Sequence, residues 1–125
     1  MPHLSFEYSA GLEAKVDLNA FADAMRDAIM ATGEFPLGGT RVRGYRADVC
    51  VLADGGEHDF LDIIFRIGSG RTDETKKTVV EALYAAAEEF LRPSLGESSF
   101  ALSFELLEMN AAFSVKRFNT VRDHL

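Results

Sequence analysis

Cysteine is almost absent. Cys50 is the only one in 125 residues, so no internal disulfide can form. A reducing, cytoplasmic setting is expected, with Cys50 as a small strand residue rather than a nucleophile. No apolar run approaches the ~20 residues of a membrane span. The start of the chain reads as a strand followed by acidic residues, not as a signal peptide. Histidine is scarce too: His3, His58 and His124 are scattered, with no helical pair, so no metal site is expected. His58 reads as a solvated loop residue, and no Ser-His-Asp set follows from spacing. Gly38-Gly39 and Gly68-Ser69-Gly70 match neither a P-loop nor a dinucleotide fingerprint and read as turns. Cations are outnumbered, 13 Lys and Arg against 20 Asp and Glu, for a formal net charge of -7. Non-specific nucleic-acid binding is therefore not expected. An anionic ligand would need arginines clustered locally against the overall field.

What is present suits one globular domain over residues 1–125, with 47% hydrophobic and 26% charged residues. Leu4, Phe6 and Tyr8 alternate with Ser5 and Glu7, the period of a half-buried strand. Asp17 is a good N-cap for a helix whose apolar face is Leu18, Phe21, Ala22, Met25 and Ile29, closed by Gly33. Residues 40–53 read as a second strand, with Arg41, Arg43 and Tyr45 on one face. The Asp54-Gly55-Gly56 turn then predicts an antiparallel third strand at 60–67. Thr72 caps a second helix, which Pro93 should end. A fourth strand is expected at 100–108, and 113–117 reads as a short added strand.

The order is strand, helix, strand, strand, helix, strand: an α+β chain of two βαβ units, with four main strands and two helices on one face. Sliding the first strand by 59 places lays Phe6 on Phe65 and Gly11 on Gly70, but Pro2 on Leu61 and Leu12 on Arg71. Pseudo-repeats over 1–56 and 57–125 account for this, and so does an ordinary ferredoxin-like split unit.

The residues left to carry chemistry are Pro2, Arg41, Arg43 and Arg71. Loss of Met1 would expose the secondary amine of Pro2, and a strand starting at once would hold that amine still. A held amine is a base or a nucleophile. Each arginine alone would sit in water, and Arg41 and Arg71 need not be close in one subunit; they could meet across a subunit boundary.

The stretch Gly68-Ser69-Gly70-Arg71-Thr72-Asp73-Glu74 resembles the Gly-Arg-Ser-Asp-Glu segment of the 4-oxalocrotonate tautomerases. Met1-Pro2-His3, Ala31-Thr32-Gly33 with Phe35-Pro36, Gly38-Gly39 with Arg41 and Arg43, Asp54-Gly55, Ile67-Gly68 with Gly70-Arg71, and residues 101–105 extend it. Together they resemble the 5-carboxymethyl-2-hydroxymuconate isomerases, tandem-fused members of the tautomerase superfamily. The resemblance implies a homotrimer of β-α-β-β-α-β subunits, no cofactor, and a tricarboxylate substrate from homoprotocatechuate-type aromatic breakdown. It implies Pro2 as catalytic base, with Arg41 and Arg71 binding carboxylates and polarising the carbonyl oxygen. Arg43, Phe35 and Phe113 are the further substrate-binding candidates, with Arg43's role open and the wall beyond Asn110 divergent. Leu61 stands where a second proline would be, so one site per subunit is expected. Two rivals keep the fold: a tautomerase of phenylpyruvate-like enols, which needs fewer arginines, and a non-catalytic ferredoxin-like ligand-binding module.

Overall fold

The computed structural model describes residues 1–125. Strand β1 spans His3–Ser9, helix α1 Leu18–Ala31, β2 Arg41–Ala47, β3 Asp59–Ile67, α2 Asp73–Leu95 and β4 Phe100–Glu108. The sheet order is β2-β1-β3-β4. β1 and β2 are parallel, β3 and β4 are parallel, and β1 meets β3 antiparallel at the centre. Each parallel pair needs a crossover, which α1 and α2 supply. β2 and β3 do run in opposite directions, but they form no hairpin, because β1 lies between them.

Alternation in the strands decides which face is buried. Leu4, Phe6, Leu61, Ile63, Phe65 and Ile67 point to the helices and are almost fully buried. Phe21, Met25 and Ile29 of α1 and Val79, Leu83, Ala87 and Leu91 of α2 meet them in one core. A Cβ at Gly44 would run into the Phe6 ring, so glycine lets the edge strand β2 lie close to the core. Asp17 and Thr72 cap their helices as expected, each accepting a backbone N–H. Gly33 closes α1 with φ of 72°. The opposite sheet face carries His3, Ser5, Arg41, Arg43, Asp62, Arg66 and Ser103; neither long helix covers it, and only the tail borders it, beside His3 and Arg66.

Three segments differ from the sequence reading. β2 ends at Ala47, because β1 offers no partner past Ser9. Val49 and Val51 are then about nine-tenths exposed, so their alternation has nothing to pack on. Pro93 does not end α2; the helix runs on to Leu95, whose side chain is buried, and Gly96 N–H bonds the Arg92 carbonyl. The segment 113–117 adds no strand. Asn110 instead caps a single 3-10 turn, Ala111–Phe113.

Candidate functional site

The antiparallel centre of the sheet brings four strand ends together. β1 and β2 begin where β3 and β4 finish, so Pro2, Arg41, the Gly68–Arg71 loop and the tail after Glu108 share one end. Arg41 and Arg71 therefore lie at the same end of one chain's sheet.

Pro2 is buried and held from two sides. Its carbonyl accepts the Arg41 N–H at 3.0 Å. Gly39, itself buried, backs onto it: a Cβ there would lie 3.1 Å from Pro36 and 3.6 Å from Pro2. The loop is closed by Gly39 N–H and Thr40 Oγ1–H, both donating to the Pro36 carbonyl. Arg41 Nη1 donates to the Gly38 carbonyl at 3.0 Å, which leaves its remaining donors unassigned. The tail folds back over this loop, and a Cβ on Gly38 would meet Leu125 at 3.1 Å.

Arg71 follows Gly70, whose φ of 112° suits only glycine. Its Nη2 donates to the Glu34 carbonyl at 2.6 Å, and Nε lies 3.7 Å from the Glu34 carboxylate. The guanidinium stands 4.5 Å from the centre of the Phe35 ring, which packs edge-on against Phe65. Phe35 is thus a platform for Arg71. Phe113 sits in the tail, 87% exposed, on the wall of a pocket of about 650 Å³ that also takes in Met1, His3, Arg66 and Lys116.

Arg43 is engaged along the open face: Nε with Tyr45 Oη, Nη1 with His3 Nδ1 at 2.9 Å, and Nη2 with Ser5 Oγ. An arginine can only donate, so His3 Nδ1 accepts and its proton is on Nε2. Burial, then Arg43, Arg66 and Arg41, push the His3 pKa down, so the ring is neutral near pH 7.

The chain's α-amine, on Met1, has its pKa lowered first by burial and then by Lys116, Arg71, Arg66 and Arg41. Both effects oppose the ammonium form. Arg66 and Lys116 escaped the sequence reading. Arg66 had a signal, since it alternates with the core residues Phe65 and Ile67 and so must face away from them. Lys116 had none, because the tail has no periodicity.

Comparison with known proteins gives the family and the fold. Residues 2–125 match the family model for 5-carboxymethyl-2-hydroxymuconate isomerase. The chain belongs to that family. The 5-carboxymethyl-2-hydroxymuconate Delta-isomerase of Escherichia coli is 31% identical over 121 residues, covering 95% of each chain. A crystal structure of a 5-carboxymethyl-2-hydroxymuconate delta-isomerase superposes with a TM-score of 0.91 at 28% identity, covering 99% of this chain and 92% of the other. The isomerase from Deinococcus radiodurans R1 gives 0.87 at 29% identity, with 99% and 94% covered. A fused 4-oxalocrotonate tautomerase, described as a symmetric trimer, shares the fold at 20% identity and a TM-score of 0.63, with 86% of each chain covered. The protein is an isomerase with the tautomerase fold.

Proposed function

We propose that the protein converts 5-carboxymethyl-2-hydroxymuconate to its unsaturated 2-oxo tautomer, with the amine of Pro2 as base after loss of Met1. The observation that carries this is the seating of Pro2: buried, fixed by Arg41 N–H, and at the cationic end of the sheet. The neutral amine takes the proton of the 2-hydroxyl. The electron pair moves along the conjugated chain, and the ammonium returns a proton to a carbon further along, giving the 2-oxo acid. One base serves both steps, which works best with a pKa near the working pH. An ordinary α-amine titrates at about 7.7–8.0 and a secondary amine higher. Burial and the surrounding cations, which lower the Met1 amine, act in the same direction on Pro2 one residue away.

Arg41 and Arg71 bind carboxylates and face the oxygen that gains charge, where one donor supplies ~3 kcal/mol. Glu34 and Phe35 hold Arg71 in place. Arg43, with all three nitrogens engaged, fixes the tautomer of His3. No cofactor takes part, and the reaction belongs to homoprotocatechuate-type aromatic breakdown in the cytoplasm.

A homotrimer is part of the proposal. One sheet face lies bare, and Leu37, Val115, Phe118 and Leu125 are mostly exposed near the site end. A closed rotational assembly covers both. Sedimentation at micromolar concentration should show a single species of three chains, and a monomer would refute it. The reaction is tested by following ketonisation of the muconate in the ultraviolet with purified protein; absence of turnover in a Pro2-terminated preparation overturns the proposal.

A further inference from the structure

The pocket beside Met1 is built for a negative group that Arg41 and Arg71 do not reach. Its lining includes Met1, His3, Arg66, Phe113 and Lys116, and neither Arg41 nor Arg71. No aspartate or glutamate lines it. Arg66 stands next to His3 across the β1–β3 register. Neither Arg66 nor Lys116 takes part in any ion pair or side-chain hydrogen bond of the chain, although the protein carries an excess of carboxylates. Other cations of the chain are held by carboxylates, as Lys15 is by Asp59 and Lys76 by Glu108, whereas Arg66 and Lys116 share one concavity with none. Two unpaired cations and a neutral imidazole donor around one concavity form a carboxylate subsite.

We infer that Arg66 and Lys116, with the N–H of His3, take the carboxymethyl carboxylate of the substrate and so select a tricarboxylate over a dicarboxylate. The inference rests on the proposed reaction. Arg41 and Arg71 serve the carboxylates of the muconate chain, and the Met109–Lys116 segment walls the arm. Arg66 and Lys116 are specificity-determining residues, because they touch the arm and not the migrating proton.

The test compares 5-carboxymethyl-2-hydroxymuconate with 2-hydroxymuconate, which lacks the arm, on wild type, Arg66→Met, Lys116→Met and the double variant. Both residues are exposed in the single chain, and a melting curve with sedimentation checks that fold and assembly persist in each variant. A charge-assisted contact is worth enough to predict a loss of about 10–100-fold in kcat/KM for the tricarboxylate, mainly through KM. For the dicarboxylate the loss should be several-fold smaller, so the preference collapses. Equal losses on both substrates, or no loss on either, overturn the inference while leaving the reaction standing. If wild type turns over neither substrate, the proposed reaction fails, and calorimetry with propane-1,2,3-tricarboxylate and glutarate decides the subsite alone. The double variant should then weaken only the tricarboxylate; equal or absent weakening rejects the subsite.

Discussion

At the end of the sheet where β1 begins, three arginines and a lysine surround the chain's amine. At the other end, where β3 begins, the groups that correspond to Pro2, Arg71, His3 and Arg41 are apolar or already satisfied. The 59-residue slide lays Pro2 on Leu61 and Arg71 on Leu12, and both leucines are fully buried. It also lays His3 on Asp62. His3 pairs in register with Arg41, and Asp62 with Ser103, so Ser103 stands where Arg41 does. Ser103 Oγ donates to Asp62 Oδ1 at 2.6 Å. Asp59 accepts from Ser9 Oγ at 2.7 Å and from Lys15 Nζ at 2.6 Å. If 1–56 and 57–125 are pseudo-repeats, as we propose, one copy has buried leucines where the other has the amine-bearing proline and its arginine. Stability and chemistry use the same residue types here; the difference is whether a charge is answered inside the chain.

The comparison breaks most sharply at Met1. Retained Met1 makes the Pro2 nitrogen a tertiary amide with no basic lone pair. Activity should fall by ~10²–10⁴, the worth of a general base. Intact-mass analysis counts the two forms, and activity should follow the Pro2-terminated fraction through aminopeptidase treatment. Equal specific activity in a fully Met1-retaining sample would remove Pro2 as base.

Copying an arginine to the opposite end of the sheet should fail. Leu12→Arg places a charge at a site with no exposure and no partner, and a loss of ~3–5 kcal/mol is expected without any second activity. Denaturant titration measures it; a fold left intact within 1 kcal/mol would mean that the end is more open than described.

Arg71→Ala should reverse that pattern, with kcat/KM down ~10²–10³ and stability lowered by only about 1–2 kcal/mol, from the lost contacts with Glu34 and Phe35. It also sharpens the pH profile. A nearby cation lowers the amine pKa, so its removal should shift the rising limb of the rate to higher pH. A profile that stays in place would deny Arg71 its electrostatic part.

The smallest effect is expected at Asp59. Burial raises its pKa, but the bonds from Lys15 and Ser9 outweigh this, and the net shift is downward. A lowered folded pKa gives stability that is present above the unfolded value of about 3.9 and lost as pH falls through the folded value. Lys15 is half in solvent, so the pair is worth no more than ~1 kcal/mol. Asp59→Asn should lower the melting temperature by a few degrees near pH 7 and by less near pH 3. Turnover should be unchanged within two-fold, since Asp59 lies at the opposite end of the sheet from Pro2.

Most of the fold was legible because its signals are local. Asp17 and Thr72 announce their helices, and the alternation in β1, β3 and β4 gives the buried face directly. The errors fall where a partner decides. Val49 and Val51 look like strand residues but have no neighbouring strand, and Pro93 is carried inside α2 with buried Leu95 beyond it. Pro2, Arg41 and Arg71 could be named from the chain, but their convergence could not, since it depends on β1 inserting between β2 and β3. Lys116 could be found only once the tail was seen returning to the same end.

The bond from Arg41 N–H to the Pro2 carbonyl makes that one amide a clock. While Pro2 is seated, the Arg41 proton is withheld from solvent deuterium; each time the first residues lift away, it can exchange. The exchange rate at Arg41 therefore measures how long the amine stays in position, in a preparation of either N-terminal form and with no substrate added.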